Sequence, residues 1–101
     1  MRQHNYFVYI ITNSTKSTLY IGVTNDLPTR LKQHYDNRGA PETFAGHYHC
    51  YYLVYWEHYT DINFVIEREK ELKKWRREKK DNLIKAFNPE LRFLNKEVEE
   101  D

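Results

Sequence analysis

A carboxylate caught in an apolar stripe is the first feature of this chain with chemistry to explain. At 100° per residue, Ile62, Val65, Ile66 and Leu72 fall on one side of a helical segment. Glu69 lies near the middle of that side, while Glu67 and Glu71 project away from it. A carboxylate held there costs on the order of several kcal/mol unless it is paired, protonated or bound to a cation. Phe64 and Trp75 form a second stripe nearer Glu71; if that one is buried, the case for Glu69 weakens. Two tyrosines form the next constellation. With a turn centred near Thr15, Tyr9 stands opposite Tyr20 on one sheet face, and Gly22 leaves an opening beside Tyr20 where a ligand or backbone approaches. Two core tyrosines and a strand glycine would show the same spacing. Arg30 and His34 are one helical turn apart, on the side marked by Leu27, Leu31 and Tyr35. Arg30 is there either as a rim residue whose stem covers the core or as a fork aimed at a phosphate.

The elements that must carry these residues follow from pattern. Residues 6–12 are a β-branched and aromatic run, hence a strand; 13–16 have turn chemistry, and 18–23 complete a hairpin. Asn25 or Asp26 caps a helix with Pro28 in its first turn, running to about Tyr35. A loop over 36–46 leads to a third strand over 50–59, apolar on both faces and therefore read as central. Thr60 or Asp61 caps a helix to about Arg76, and a further helix ends near Phe87, before Asn88-Pro89. The order β-β-α-β-α-α implies an α+β fold, a small antiparallel sheet flanked by helices. Residues 1–90 form one domain. Residues 91–101 read as an acidic tail, ordered in part through Leu91, Phe93 and Leu94 and frayed at its end.

Composition narrows the function classes. A single cysteine, Cys50, excludes an internal disulfide and a four-thiolate zinc site. No charged-then-apolar leader opens the chain and no apolar run nears the roughly 18 residues of a membrane span, so a cytoplasmic protein without membrane contact is expected. Net charge is only +1, but residues 67–80 hold eight Lys or Arg against four Glu, with an acidic tail as offset. That block is either a solvated helix face or a local phosphate-attracting surface.

Four elements in order, Phe7-Val8-Tyr9, Tyr20-Ile21-Gly22, Arg30 with His34, and Ile66-Glu67-Arg68-Glu69, resemble the GIY-YIG endonuclease superfamily over roughly residues 6–88. The similarity is closest to small stand-alone bacterial members, which resemble the amino-terminal incision domain of the bacterial excinuclease and the catalytic domain of homing endonucleases. The resemblance implies a three-stranded antiparallel sheet and metal-dependent phosphodiester hydrolysis of nucleic acid, DNA ahead of RNA, in repair or processing. It implies that Tyr9 and Tyr20 line the active site, that Arg30 contacts the scissile phosphate and that Glu69 ligates one Mg²⁺ or Mn²⁺. His34 takes the family's His-or-Tyr position, and Asn88 a late polar one. Tyr20 is the first choice as base, with Tyr9 as positioner. Gly22 and the basic residues Lys73, Arg76 and Arg77 are expected to meet nucleic acid. The chain departs from the pattern with Phe7 at the motif's first Gly and Val23 where some relatives carry Lys. His47 or His49 is the candidate for a loop histidine that serves some members.

Three rival readings accompany this one. In the first, the same groove binds nucleic acid or a protein without turnover. The second is a zinc site from His47, His49, Cys50 and His58, disfavoured because Cys50 would point away from the two histidines. The third makes the tyrosine-rich strand over 48–59 a dimer surface. A monomer or weak dimer, with a protein partner for targeting, fits this size.

Overall fold

The computed structural model describes residues 4–99. Its elements are β1 (Tyr6–Thr12), β2 (Leu19–Thr24), α1 (Leu27–Asp36), α2 (Phe44–His47), β3 (Tyr52–Tyr59), α3 (Ile62–Lys74), α4 (Arg77–Phe87) and α5 (Asn95–Val98). The three strands form one antiparallel sheet in the order β2-β1-β3 with helices on both faces, an α+β arrangement. Among the described residues no helix is long and apolar enough to cross a membrane.

β1, not β3, is the central strand. Both read as apolar on two faces, and the difference lies in what covers their edges. β1 buries Val8 and Ile10 toward α3 and α4, and Tyr9 and Ile11 toward α1 and α5. The outer edge of β3 is met instead by the chain's C-terminal stretch. Leu94 N donates to Leu53 O at 2.7 Å, Asn95 Oδ1 accepts from Leu53 N at 2.8 Å, and Asn95 Nδ2 donates to Tyr51 O at 2.8 Å. Satisfying these backbone groups removes most of the cost of an unpaired edge. Residues 91–99 are thus integral rather than a tail: Leu94 is buried, Leu91 packs on the core, and Phe93 stacks on Tyr52. Glu100 and Asp101, the expected frayed end, lie outside the described residues.

The hairpin register also differs from the expected one. Tyr9 pairs with Gly22 and Ile11 with Tyr20. Asn13 Oδ1 accepts from the backbone N–H of Ser17 and Thr18, so the turn extends through Thr18 and its centre moves one residue on. The partner slips by two, which leaves Tyr9, Tyr20 and Gly22 on one face, as the two-residue period requires.

α3 is fixed by a cluster around Glu57 on β3. The Arg68 guanidinium donates to that carboxylate through Nε and Nη2, and the Tyr55 and Tyr59 hydroxyls donate to it as well. Burial alone would raise the Glu57 carboxyl, but donors from Arg68, Tyr55 and Tyr59 outweigh it and hold it below the usual carboxylate range. Val65 and Leu72, wholly buried, mark the inward line of α3. Ile62, Ile66 and Phe64 are substantially exposed, so the buried stripe is narrower than sequence spacing suggests. Glu69, four beyond Val65 and three before Leu72, stays beside that line, with Arg68 on its other flank.

Candidate active site

Gly22 is where the site begins. A Cβ placed there would lie 2.5 Å from Tyr9 Oη and 2.6 Å from Tyr9 Cζ, so the phenol crosses β2 through the space a side chain would take. The opening anticipated beside Tyr20 is therefore filled by Tyr9, and Gly22 is buried with no surface to offer nucleic acid.

α1 supplies the partners of that phenol. Asp26 caps the helix by accepting from Thr29 N at 3.2 Å, Pro28 sits in its first turn, and Leu27 and Leu31 seat it on the sheet. This phase brings Arg30 and His34 to Tyr9. Arg30 Nε donates to Tyr9 Oη at 3.3 Å, and Tyr9 Oη lies 2.8 Å from His34 Nε2. Because Tyr9 accepts from Arg30, its own proton goes to His34 Nε2, which assigns a neutral imidazole protonated at Nδ1. Burial, then the Arg30 charge, pushes His34 down to about 4, in keeping with that state. Burial pushes Tyr9 up to about 12, with Arg30 opposing and the charges of Tyr20 and Glu69 adding to it. Arg30 is held in its charged form: burial opposes this, and the hydrogen bond and charge of Tyr9, with Tyr20, outweigh it.

Tyr20 completes the group. Its ring lies 6.4 Å from that of Tyr9 and 5.4 Å from that of His34. With Arg30, His34, Asn37, Thr43 and Phe44 it lines a small cavity of ≈ 130 Å³. A larger groove of ≈ 560 Å³ runs between α1 and α5, but its wall carries only Lys32 and Glu99 as charged groups and none of Tyr9, Tyr20, Arg30 and His34. Glu69 approaches from the opposite layer. α3 packs across β1 and β2 on the far face, yet the Glu69 charge bears on the Tyr9 phenol. Its side chain is about one-fifth exposed (22%), and its Oε2 lies 3.3 Å from Lys73 Nζ.

Other expected site residues lie elsewhere. Asn88 is buried at the far edge of β3, donating to Val54 O and Arg92 O and accepting from Arg92 N, so it ties the C-terminal stretch down. Arg77 binds Asp81 and the carbonyls of Lys16 and Ser17, clamping the hairpin turn to α4. Arg76 is exposed at the start of α4. His47 is exposed in α2, edge-on to Tyr48. Sequence spacing overlooked Gln33, which accepts from Arg30 Nη1 at 3.0 Å, and the wall residues Asn37, Thr43 and Phe44. A Thr43 side chain capping Gly46 three residues on is the one local signal for α2.

Among the described residues no three His, Cys, Asp or Glu side chains gather, so there is no all-protein cage of the zinc kind. A lone, partly exposed carboxylate leaves most coordination positions to water and substrate oxygens, which suits Mg²⁺ or Mn²⁺.

His34 gives the site a pH signature. Its folded-state pKa of about 4 lies below the ordinary 6.5, so its contribution to stability is full above pH 6.5 and is lost as pH falls toward 4. The shift corresponds to about 3 kcal/mol. Urea unfolding from pH 7.5 to 4 in metal-free buffer should show this decline, and H34Q should flatten it. Superimposed profiles would mean that the imidazole is not buried and neutral.

Comparisons with known proteins bear on the family and the fold. A sequence profile of the GIY-YIG catalytic domain matches residues 5–82. A UPF0213 protein of Bacillus pumilus is 33% identical over 90 residues, 89% of each chain. A UPF0213 protein of Staphylococcus aureus is 37% identical over 81 residues, 80% of this chain and 95% of that one. The solution NMR structure of a UPF0213 protein from Bacillus halodurans superposes with a TM-score of 0.51 at 29% identity, covering 81% of this chain and 84% of that one.

Proposed function

Because this chain belongs to the GIY-YIG family, we propose that it is an endonuclease that hydrolyses phosphodiester bonds in nucleic acid with one Mg²⁺ or Mn²⁺. DNA is the favoured substrate and repair or processing the favoured role. The observation that carries the reading is the meeting of Tyr9, Tyr20, Arg30 and His34 at one face.

Each residue then has a task. Glu69 would hold the cation, which when bound polarises the phosphate and offsets its developing charge. The Arg30 guanidinium donates through Nε to Tyr9 and through Nη1 to Gln33, and its fork has further N–H groups suited to phosphate oxygens. Stabilising the transition state through such pre-oriented donors is worth about 3–4 kcal/mol. Tyr9 orients Arg30, and neutral His34 keeps the Tyr9 proton turned away from the guanidinium. Bringing a phenol from about 12 to 7 needs about 7 kcal/mol, against about 4 for an ordinary phenol. Tyr9 is thus a positioning residue, and Tyr20, half-buried on the cavity wall, would take the proton of the attacking water as its phenolate, having first released its own proton to solvent. Lys73, paired with Glu69 at 3.3 Å and half-exposed, would supply a positive charge for a phosphate beside that carboxylate.

That ion pair also favours a second reading, a binding module without turnover, because it already neutralises the carboxylate. Purified protein should be incubated with single-stranded, duplex and branched DNA and with RNA, each with Mg²⁺, Mn²⁺ or EDTA. Cleavage confined to the metal arms is the expected result. Binding that persists with no cleavage under either metal favours the module.

A further inference from the structure

The wall of the cavity beside Arg30 continues outward as a row of aromatic rings that the core does not use. Phe44 and Tyr48 are 52% and 45% exposed. The Phe44 ring lies 6.4 Å from Tyr20, 27° from parallel, and 4.8 Å from Tyr48. The row therefore leads from Tyr20, inside the cavity, to solvent. The turn that carries it is firmly seated. Thr43 Oγ1 accepts from Gly46 N at 3.0 Å, Gly39 N donates to Gly46 O at 2.8 Å, and Cys50 N donates to Ala45 O at 2.8 Å. A Cβ on Gly46 would lie 2.6 Å from Ala40 O and 2.8 Å from Asn37 O, so glycine lets α2 settle onto the preceding turn. Aromatic faces held open to water by a rigid support are pre-organised for a flat partner.

We propose that Phe44 and Tyr48 stack an unpaired base adjoining the phosphate that Arg30 holds, so that the substrate is single-stranded or locally unpaired nucleic acid. This rests on the nuclease reading of the same cavity. Charge complementarity selects the occupant: the Arg30 guanidinium shares the cavity wall with Phe44, so a ligand seated there meets a cation at one end and π-faces at the other. A nucleotide offers a matching anion and planar heterocycle, and stacking accepts any base because every base has a π-face. A base within a duplex already has both faces covered by neighbours and would have to leave the stack.

The test measures binding separately from cleavage. Labelled short oligonucleotides, unpaired and duplex, deoxy and ribo of one sequence, are titrated in EDTA and followed by anisotropy. The unpaired strand should bind more tightly than the duplex, and F44A and Y48A should each weaken it about ten- to a hundredfold. F44W should retain binding, with its indole emission quenched beyond any change in the wild type. F44L, apolar but without a flat ring, should fail as F44A does. Thermal melts of each variant check folding, and the F44W quench carries the test should F44A or F44L unfold. If F44L binds like wild type, or if the duplex is bound and cut as well as the unpaired strand, stacking is wrong. The nuclease reading still stands in that case provided R30A abolishes the cleavage. If no nucleic acid is bound or cut under any condition, the nuclease reading falls and the stacking proposal with it.

Discussion

Glu69→Ala is expected to lower metal-dependent cleavage by about a thousandfold or more while changing the melting temperature by only a few degrees. On the proposed reading, loss of the carboxylate would remove the protein's hold on a cation whose Lewis acidity would be worth several kcal/mol at the transition state, and about 4 kcal/mol is three decades in rate. The fold has little at stake in the same side chain. Glu69 is partly exposed, and its one ion pair, with Lys73 at 3.3 Å, is of the exposed i,i+4 kind that contributes only about 0.3–0.5 kcal/mol. The inward line of α3 is held by Val65 and Leu72, and its angular setting by Arg68 on Glu57, none of which is touched. Rates with Mn²⁺ over a concentration series, together with Mn²⁺ binding followed by electron paramagnetic resonance, check this. Wild-type cleavage by the variant would remove Glu69 from the chemistry.

Gly22→Ala should do the reverse, harming the fold and the site together. The added methyl group would fall 2.5 Å from Tyr9 Oη and 2.6 Å from Cζ, atoms of a residue that is only 1% exposed. Overpacking of this kind costs about 1–3 kcal/mol. Displacing the phenol also strips His34 Nε2 of its buried partner, about 1–3 kcal/mol more. A fall in melting temperature of about ten degrees or more follows for a domain of this size. Activity should be lost even below the melting transition, since Arg30 is oriented by the same hydroxyl. Combining G22A with Y9L, which removes the ring, should cost clearly less than the sum of the two single changes. Strict additivity, or a G22A protein as stable and active as wild type, would contradict the placement of Tyr9.

How much of this was readable beforehand depended on the range of the interaction. The face shared by Tyr9, Tyr20 and Gly22 survived a turn that closes one residue later than expected, because a two-residue partner slip conserves side-chain direction. Asp26 and Asp61 cap α1 and α3 as local pattern indicates, and those caps fix the phase that aims Arg30, His34 and Glu69. What escaped was set by polar side chains acting over long separations. Asn95 reaches back 44 residues to Tyr51, and Arg77 60 residues to Ser17, and neither carries any local mark of its partner. The central strand was misplaced for that reason, since nothing near residues 50–59 reveals that the C-terminal stretch will cover their edge. Asn88 was expected at the site only through the family resemblance, and no local pattern marks the tether it makes to Val54 O and Arg92 O.

The profile match ends at residue 82, yet the hydrogen bonds from Leu94 and Asn95 sit on β3 well beyond it. A version trimmed to the catalytic motif would present the Leu53 amide and carbonyl, and with them a run of tyrosines, as a bare template for other copies. Sheet edges of that kind recruit further strands, and precipitation is the expected consequence. Residues 91–99 are thus expected to contribute to colloidal behaviour, keeping the folded chain dispersed at working concentration.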